Sequence, residues 1–158
     1  MNTKDKLQLM KELDAANAKH VQDWKEREAE KMAGKITGIL VDVVKGTIDK
    51  ATINKSLDGY YAALNCRCID IVSRTVGGKR FLVICDDEGL LKSDIKVSAI
   101  APSGEVMLVG NLFIVNSDGA DDVESLTDEE CQHIKRCVYM VRMSHEEKAY
   151  PILNYCGY

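Results

Sequence analysis

A chain of 158 residues is long enough for one domain with a real core. Its 46% hydrophobic and 29% charged residues are ordinary for a globular protein in water. The net charge of -4, with a pI of about 5.4, excludes binding nucleic acid by bulk charge, because that rests on neutralising phosphates with Lys and Arg; only a local basic patch could do it.

Residues 3 to about 33 lack Gly and Pro and are rich in Lys, Glu, Ala, Leu and Met, which predicts a helix about 45 Å long. Asn2 or Thr3 can cap its start and Gly34 can stop it. Its apolar stripe is thin: Leu9 or Met10, Leu13, Ala16, His20 or Val21, then Trp24. Such a helix projects, packs through one seam, or pairs with a second copy of the chain as a homodimer. Residues 36–44 read as a strand, Lys45-Gly46 as a turn and 47–53 as the returning strand. A short helix over 57–64 follows. Residues 67–76 and 79–86 flank Gly77-Gly78, a strong hairpin signal. Residues 95–101 add a short strand, 102–105 a turn, and 106–116 the most apolar strand, expected at the centre of the sheet. After a polar loop over 118–125, Thr127 and Glu130 form a capping box that opens a helix to about residue 142, with Cys131, Ile134, Cys137, Val138 and Val141 as its apolar face. The tail, AYPILNYCGY, is expected to pack back on the body. The class is α+β: a mostly antiparallel sheet built from hairpins, a short helix, a C-terminal helix and a long N-terminal helix. The expected organisation is a helical arm over 1–34 and a single α+β domain over 35–158.

No apolar run reaches the roughly 20 residues of a membrane helix. The first twenty residues lack a signal-peptide core. The expectation is a cytoplasmic protein without a membrane partner. The six cysteines, Cys66, Cys68, Cys85, Cys131, Cys137 and Cys156, then read as free thiols.

The run SLDGYYAALNCRCIDIVSRTVGGKRFLVICDDEGLL, followed by VSAI, MLVGNLFIVN and SLTDEE, resembles a small bacterial domain family of unknown function. Members of that family occur mainly in phages, plasmids and conjugative elements of Gram-positive bacteria. The resemblance covers roughly residues 36–140. It transfers no catalytic residue. It implies a setting in which small accessory proteins inhibit or modulate host defence, including anti-CRISPR and anti-restriction proteins.

Several clusters invite chemistry. Asp86, Asp87 and Glu88 can bind a cation through oxygen or form a catalytic pair, but acids before a glycine at a strand end are ordinary turn chemistry, with Gly supplying positive φ. Asp94, six residues on from Glu88, is too distant to complete a calcium loop. Cys66 and Cys68 can be matched on paper with His133 and Cys137 as four zinc ligands, against a reading as packed thiols. His20, His133 and His145 form no recognised Cys-His signature, and Gly77-Gly78-Lys79 lacks the phosphate-loop form. Arg67, Arg74, Lys79 and Arg80, with Tyr60 and Tyr61, can make a small nucleic-acid face or protect a strand edge. The strongest charge feature is Asp118, Asp121, Asp122, Glu124, Asp128, Glu129 and Glu130, either a solvated loop and helix cap or a docking surface for a basic groove. Trp24 on a polar helix is a plausible anchor.

The expected function is therefore a non-enzymatic accessory protein that needs no cofactor or metal. It would bind a host protein or protein–nucleic acid complex through Trp24, Asp86, Asp87, Glu88, Asp118, Asp121, Asp122 and Glu124, with inhibition of a defence nuclease as its specific form. The alternatives are a small-ligand or metal-binding module, and a nucleic-acid-binding factor using Arg67, Arg74, Lys79 and Arg80.

Overall fold

The computed structural model describes residues 3–92, 95–119, 122–142 and 148–158, with backbone alone at 27, 28 and 30–32. Asn2, Asp94, Asp121 and His145 lie outside the described residues. The chain divides into two compact units at the Gly34–Lys35 boundary.

The first unit is one helix, α1 (Thr3–Met32), ended by Gly34 at φ +66. Gln8 and Gln22 each donate to a glutamate four residues on, Glu12 and Glu26, as side chains do one turn apart. Leu9, Met10, Leu13, Val21 and Trp24 are all exposed.

The second unit is built around a central sheet. Strands β1 (Lys35–Asp42) and β2 (Thr47–Asn54) form a hairpin, and so do β3 (Ile69–Val76) and β4 (Lys79–Asp86), with α2 (Leu57–Leu64) between them. Ser56 caps α2 by accepting from the Gly59 amide. Strands β5 (Val97–Ile100) and β6 (Val106–Val109) lead to β7 (Leu112–Ser117) and the two-residue β8 (Val123–Glu124). Then come α3 (Asp128–Arg136), β9 (Val138–Val141), β10 (Tyr150–Leu153) and β11 (Cys156–Gly157). The central sheet runs β11-β3-β4-β7-β1-β2, with β8 on β7; a smaller sheet runs β6-β5-β10-β9. All pairings are antiparallel except β5 with β10.

Strand β7 sits in the middle because both of its faces are apolar. Ile114 aligns with Ile39 and Val83 on one face, and Phe113 with Leu40 and Ile84 on the other. The first face packs on the small sheet and α3 to give the main core, which includes Leu112, Leu126, Cys131, Ile134 and Leu153. The second packs under α2, with Ile36, Tyr60, Leu64, Phe113 and Val115. Gly38 leaves room for this: a Cβ there would strike the Ile114 carbonyl and the Phe113 ring.

Two expectations need correction. The stretch 106–116 is two strands, not one. Gly110, at φ +75, breaks the run, so β6 lies at the edge of the small sheet while β7 lies at the centre of the large one. The last helix stops at Arg136, not near 142. Residues 138–141 satisfy a helical apolar spacing equally well, but they pair with the tail, Tyr150 to Val141 and Leu153 to Val138. That ladder gives their backbone groups long-range partners that a helix would forgo. The tail does pack back, but it does so as strands in both sheets, through β10 and β11.

Candidate functional site

The acidic turn at the end of β4 sends its three carboxylates in three directions. Asp86 Oδ1 accepts from the Glu88 amide at 2.9 Å, and its buried Oδ2 meets Lys92 Nζ at 2.6 Å. The Asp87 amide donates to the Cys68 carbonyl at 3.2 Å while its side chain faces solvent. Glu88 reaches back to Arg67 Nη2 at 3.2 Å and accepts from the Cys68 thiol at 3.7 Å. This is turn chemistry with two ion pairs. Gly89, however, does not serve as a positive-φ residue. It is buried in a short 3-10 turn, where a Cβ would lie 3.2 Å from Val109 Cγ2, so its role is close approach. Among the described residues no group of three or more His, Cys, Asp or Glu side chains is placed to hold a metal ion.

Asp86 nevertheless stands where three depressions meet. One, of about 80 Å³, reaches Asn65, Lys92, Lys96 and Asn111. A second, of about 460 Å³, runs over Asn65, Cys66, Arg67 and Glu88. A third, of about 320 Å³, lies between the β3–β4 face and β6. Neither Lys92 nor β6 stands out in the sequence: Lys92 carries no motif, and the one local signal of the strand boundary beside the third depression is Gly110.

The paper zinc site is not assembled. Cys66 and Cys68 precede β3, whereas His133 Nε2 bonds the carbonyl of Val76 at the far end of that strand at 2.8 Å, and Cys137 lies beside it over Gly77. Eight residues of extended chain, about 26 Å, separate the two pairs. Every thiol pKa is raised, first by burial, with Cys85 pushed up to about 11. An activated thiol needs the opposite shift.

The basic residues do not share a face. Arg67 and Lys79 lie at opposite ends of the β3–β4 hairpin, paired with Glu88 and Glu130. Arg74 stands opposite Phe81 and Arg80 opposite Thr75, and adjacent rungs point to opposite faces. The two arginines converge only on Tyr158: Arg74 Cζ is 5.0 Å from its ring, and Arg80 Nη2 donates to its carbonyl at 3.3 Å. Tyr60 is buried in the core under α2, so it offers no stacking platform.

The acidic segment is ordered by its own backbone. The Asp118 amide donates to the Asp122 carbonyl, and Asp118 Oδ1 accepts from the Asp122 amide. Thr127 and Glu130 form the expected capping box, at 3.1 and 3.0 Å. Glu130 is buried and also meets Asn116 Nδ2 and Lys79 Nζ. Lys50 pairs with Asp128 at 2.8 Å and Lys55 with Asp122 at 3.0 Å. Glu124 is half-buried on β8, while Asp118 and Glu129 are exposed. Trp24 is exposed on α1. No helix among the described residues is long and apolar enough to cross a membrane.

Comparison with known proteins yields one finding. The family described as Domain of unknown function (DUF3846) matches residues 36–138. That stretch is most of the chain, and the chain belongs to this family. No curated protein and no solved structure matches it.

Proposed function

We propose that this DUF3846 member is a non-enzymatic binding protein that docks on a basic groove of a host macromolecule through its acidic edge. The carrying observation is the local charge excess. Residues 118–130 hold seven carboxylates and no Lys or Arg, and where the chain is described they follow β7, β8 and the first turn of α3, with Lys50, Lys55 and Lys79 paired to Asp128, Asp122 and Glu130. Complementary charge speeds encounter and fixes orientation. The uniformly raised thiols and the diverging carboxylates of the 86–88 turn support binding over catalysis. The finer form of the proposal is a cytoplasmic accessory protein of a phage or other mobile element that blocks the nucleic-acid channel of a defence nuclease. That form rests on the resemblance alone.

The test is capture from nuclease-treated host lysate by the native chain and by Asp118→Lys/Asp122→Lys/Glu124→Lys/Glu129→Lys, with circular dichroism to confirm the fold. A partner retained by the native chain, rich in exposed Lys and Arg, should be lost on reversal. Undiminished capture by the reversed chain would remove the acidic edge from the reading.

A second contact surface belongs to α1. The helix carries seven basic and seven acidic residues along its length, beside the exposed Leu13, Val21 and Trp24. Balanced, interspersed charge lets such a helix pair with its own copy without repulsion.

A further inference from the structure

The open edge of β6 faces a cleft whose two ends carry opposite charge. Among the described residues strand β6 ends the order of the small sheet and is paired only with β5. Its residues Val106–Val109 wall the depression of about 320 Å³. The facing wall is the side of β3–β4 that bears Asp70, Val72, Arg74 and Cys85. An edge strand presents unpaired N–H and C=O groups, which a second extended chain can satisfy.

The register fixes the polarity of the cleft. Asp70 pairs with Cys85 and Arg74 with Phe81, so Asp70 and Arg74 share a face four residues, about 13 Å, apart. Val109 packs against Gly89, beside Asp87, and so marks the acidic end; Val106 is the opposite end of the strand, and Arg74 the opposite end of the facing wall from Asp70. Among the described residues neither the Asp70 nor the Asp87 carboxylate has a partner, and both residues are exposed. The Arg74 guanidinium is held from behind. Its Nη1 donates to the Ser73 carbonyl at 2.9 Å and the Tyr158 ring lies 5.0 Å from Cζ, while its buried Nε–H has no partner. Val72 forms a half-buried apolar floor between the two charged ends.

We propose that this cleft binds an extended peptide segment of a partner protein, added as an antiparallel strand to β6. A basic side chain would lie at the Asp70–Asp87 end and a carboxylate at Arg74. Main-chain bonds to the edge supply affinity, and the alternating side chains supply choice. Antiparallel pairing is the more stable arrangement per residue, and it places the basic residue first and the acidic residue last. Both the surface and the partner chemistry are separate from those of the acidic edge over 118–130, so either proposal can fail without the other.

The test is titration of the isotope-labelled full chain with acetyl-Lys-Val-Thr-Val-Glu-amide and with the charge-swapped acetyl-Glu-Val-Thr-Val-Lys-amide, followed by backbone amide shifts. The first peptide should shift the Val106–Val109 amides and bind about tenfold tighter than the second. Arg74→Gln, and separately Asp70→Asn with Asp87→Asn, should each abolish that difference. The two aspartates are exposed and unpartnered, so their variant keeps the fold and the test stays open if Arg74→Gln does not. Equal binding of the two peptides, no binding of either, or shifts confined to residues outside 106–109 would overturn the proposal.

Discussion

Cys85 shows how a single side chain records its surroundings. It is buried at the end of β4, near Asp70 and the acids of the turn, and burial first, then those carboxylates, push its thiol up to about 11. The neutral thiol is therefore favoured in the folded chain more than in the unfolded one, whose value is the ordinary 9.0. The folded state holds an extra proton between those values, so this stabilisation is complete below about pH 9 and is lost as pH rises toward about 11. Urea midpoints measured across that interval should fall with pH, and Cys85→Val should flatten the fall. An unchanged slope in the variant would assign the alkaline loss to other groups. Nothing about position 85 in the sequence distinguishes it from the other cysteines; its environment comes from β3 and the turn, which fold against it.

The β3–β4 hairpin was legible because Gly77-Gly78 sits between two β-rich runs, and both glycines do adopt positive φ, +57 and +84. What the sequence could not show is that the two positions differ. A Cβ at Gly78 meets nothing within 4 Å, whereas one at Gly77 would lie 2.6 Å from Cys137 Sγ and 3.0 Å from His133 Nε2. Gly78→Ala should therefore cost only the left-handed backbone, about 1–2 kcal/mol. Gly77→Ala adds displacement of α3's last turn, for about 2–4 kcal/mol in all. Equal losses in chemical denaturation would show that α3 does not press on the turn. The same contact explains why His133 on α3 and Cys137 just past its end serve a backbone bond to Val76 and packing here rather than a shared ligand.

Among the described residues both apolar clusters are drawn from residues 36–156, on the two faces of the central sheet. Removal of residues 1–34 should therefore leave a chain that unfolds cooperatively with a Tm within a few degrees of the full chain; a broad or strongly lowered transition would show that α1 supports the core. Sedimentation of the two forms checks the pairing proposed for α1: the full chain should run as a dimer and residues 35–158 as a monomer. Identical masses would remove that surface.

Local chemistry alone determined the long helix, the two hairpins, the α2 and α3 caps and the α+β class, because turn residues, caps and apolar periodicity act over a few neighbours. Pairing between distant segments decided the rest. Val138–Val141 became a strand because the tail offered it a ladder, and the apolar run at 106–116 split because Gly110 let its halves join different sheets. That split set the open β6 edge opposite Asp70 and Arg74, a juxtaposition of residues more than thirty positions apart. Charge shows the same division. The acids over 118–130 are plain in the sequence, but the lysines that meet them come from β2, the turn after it and β4, which only the folded sheet brings alongside.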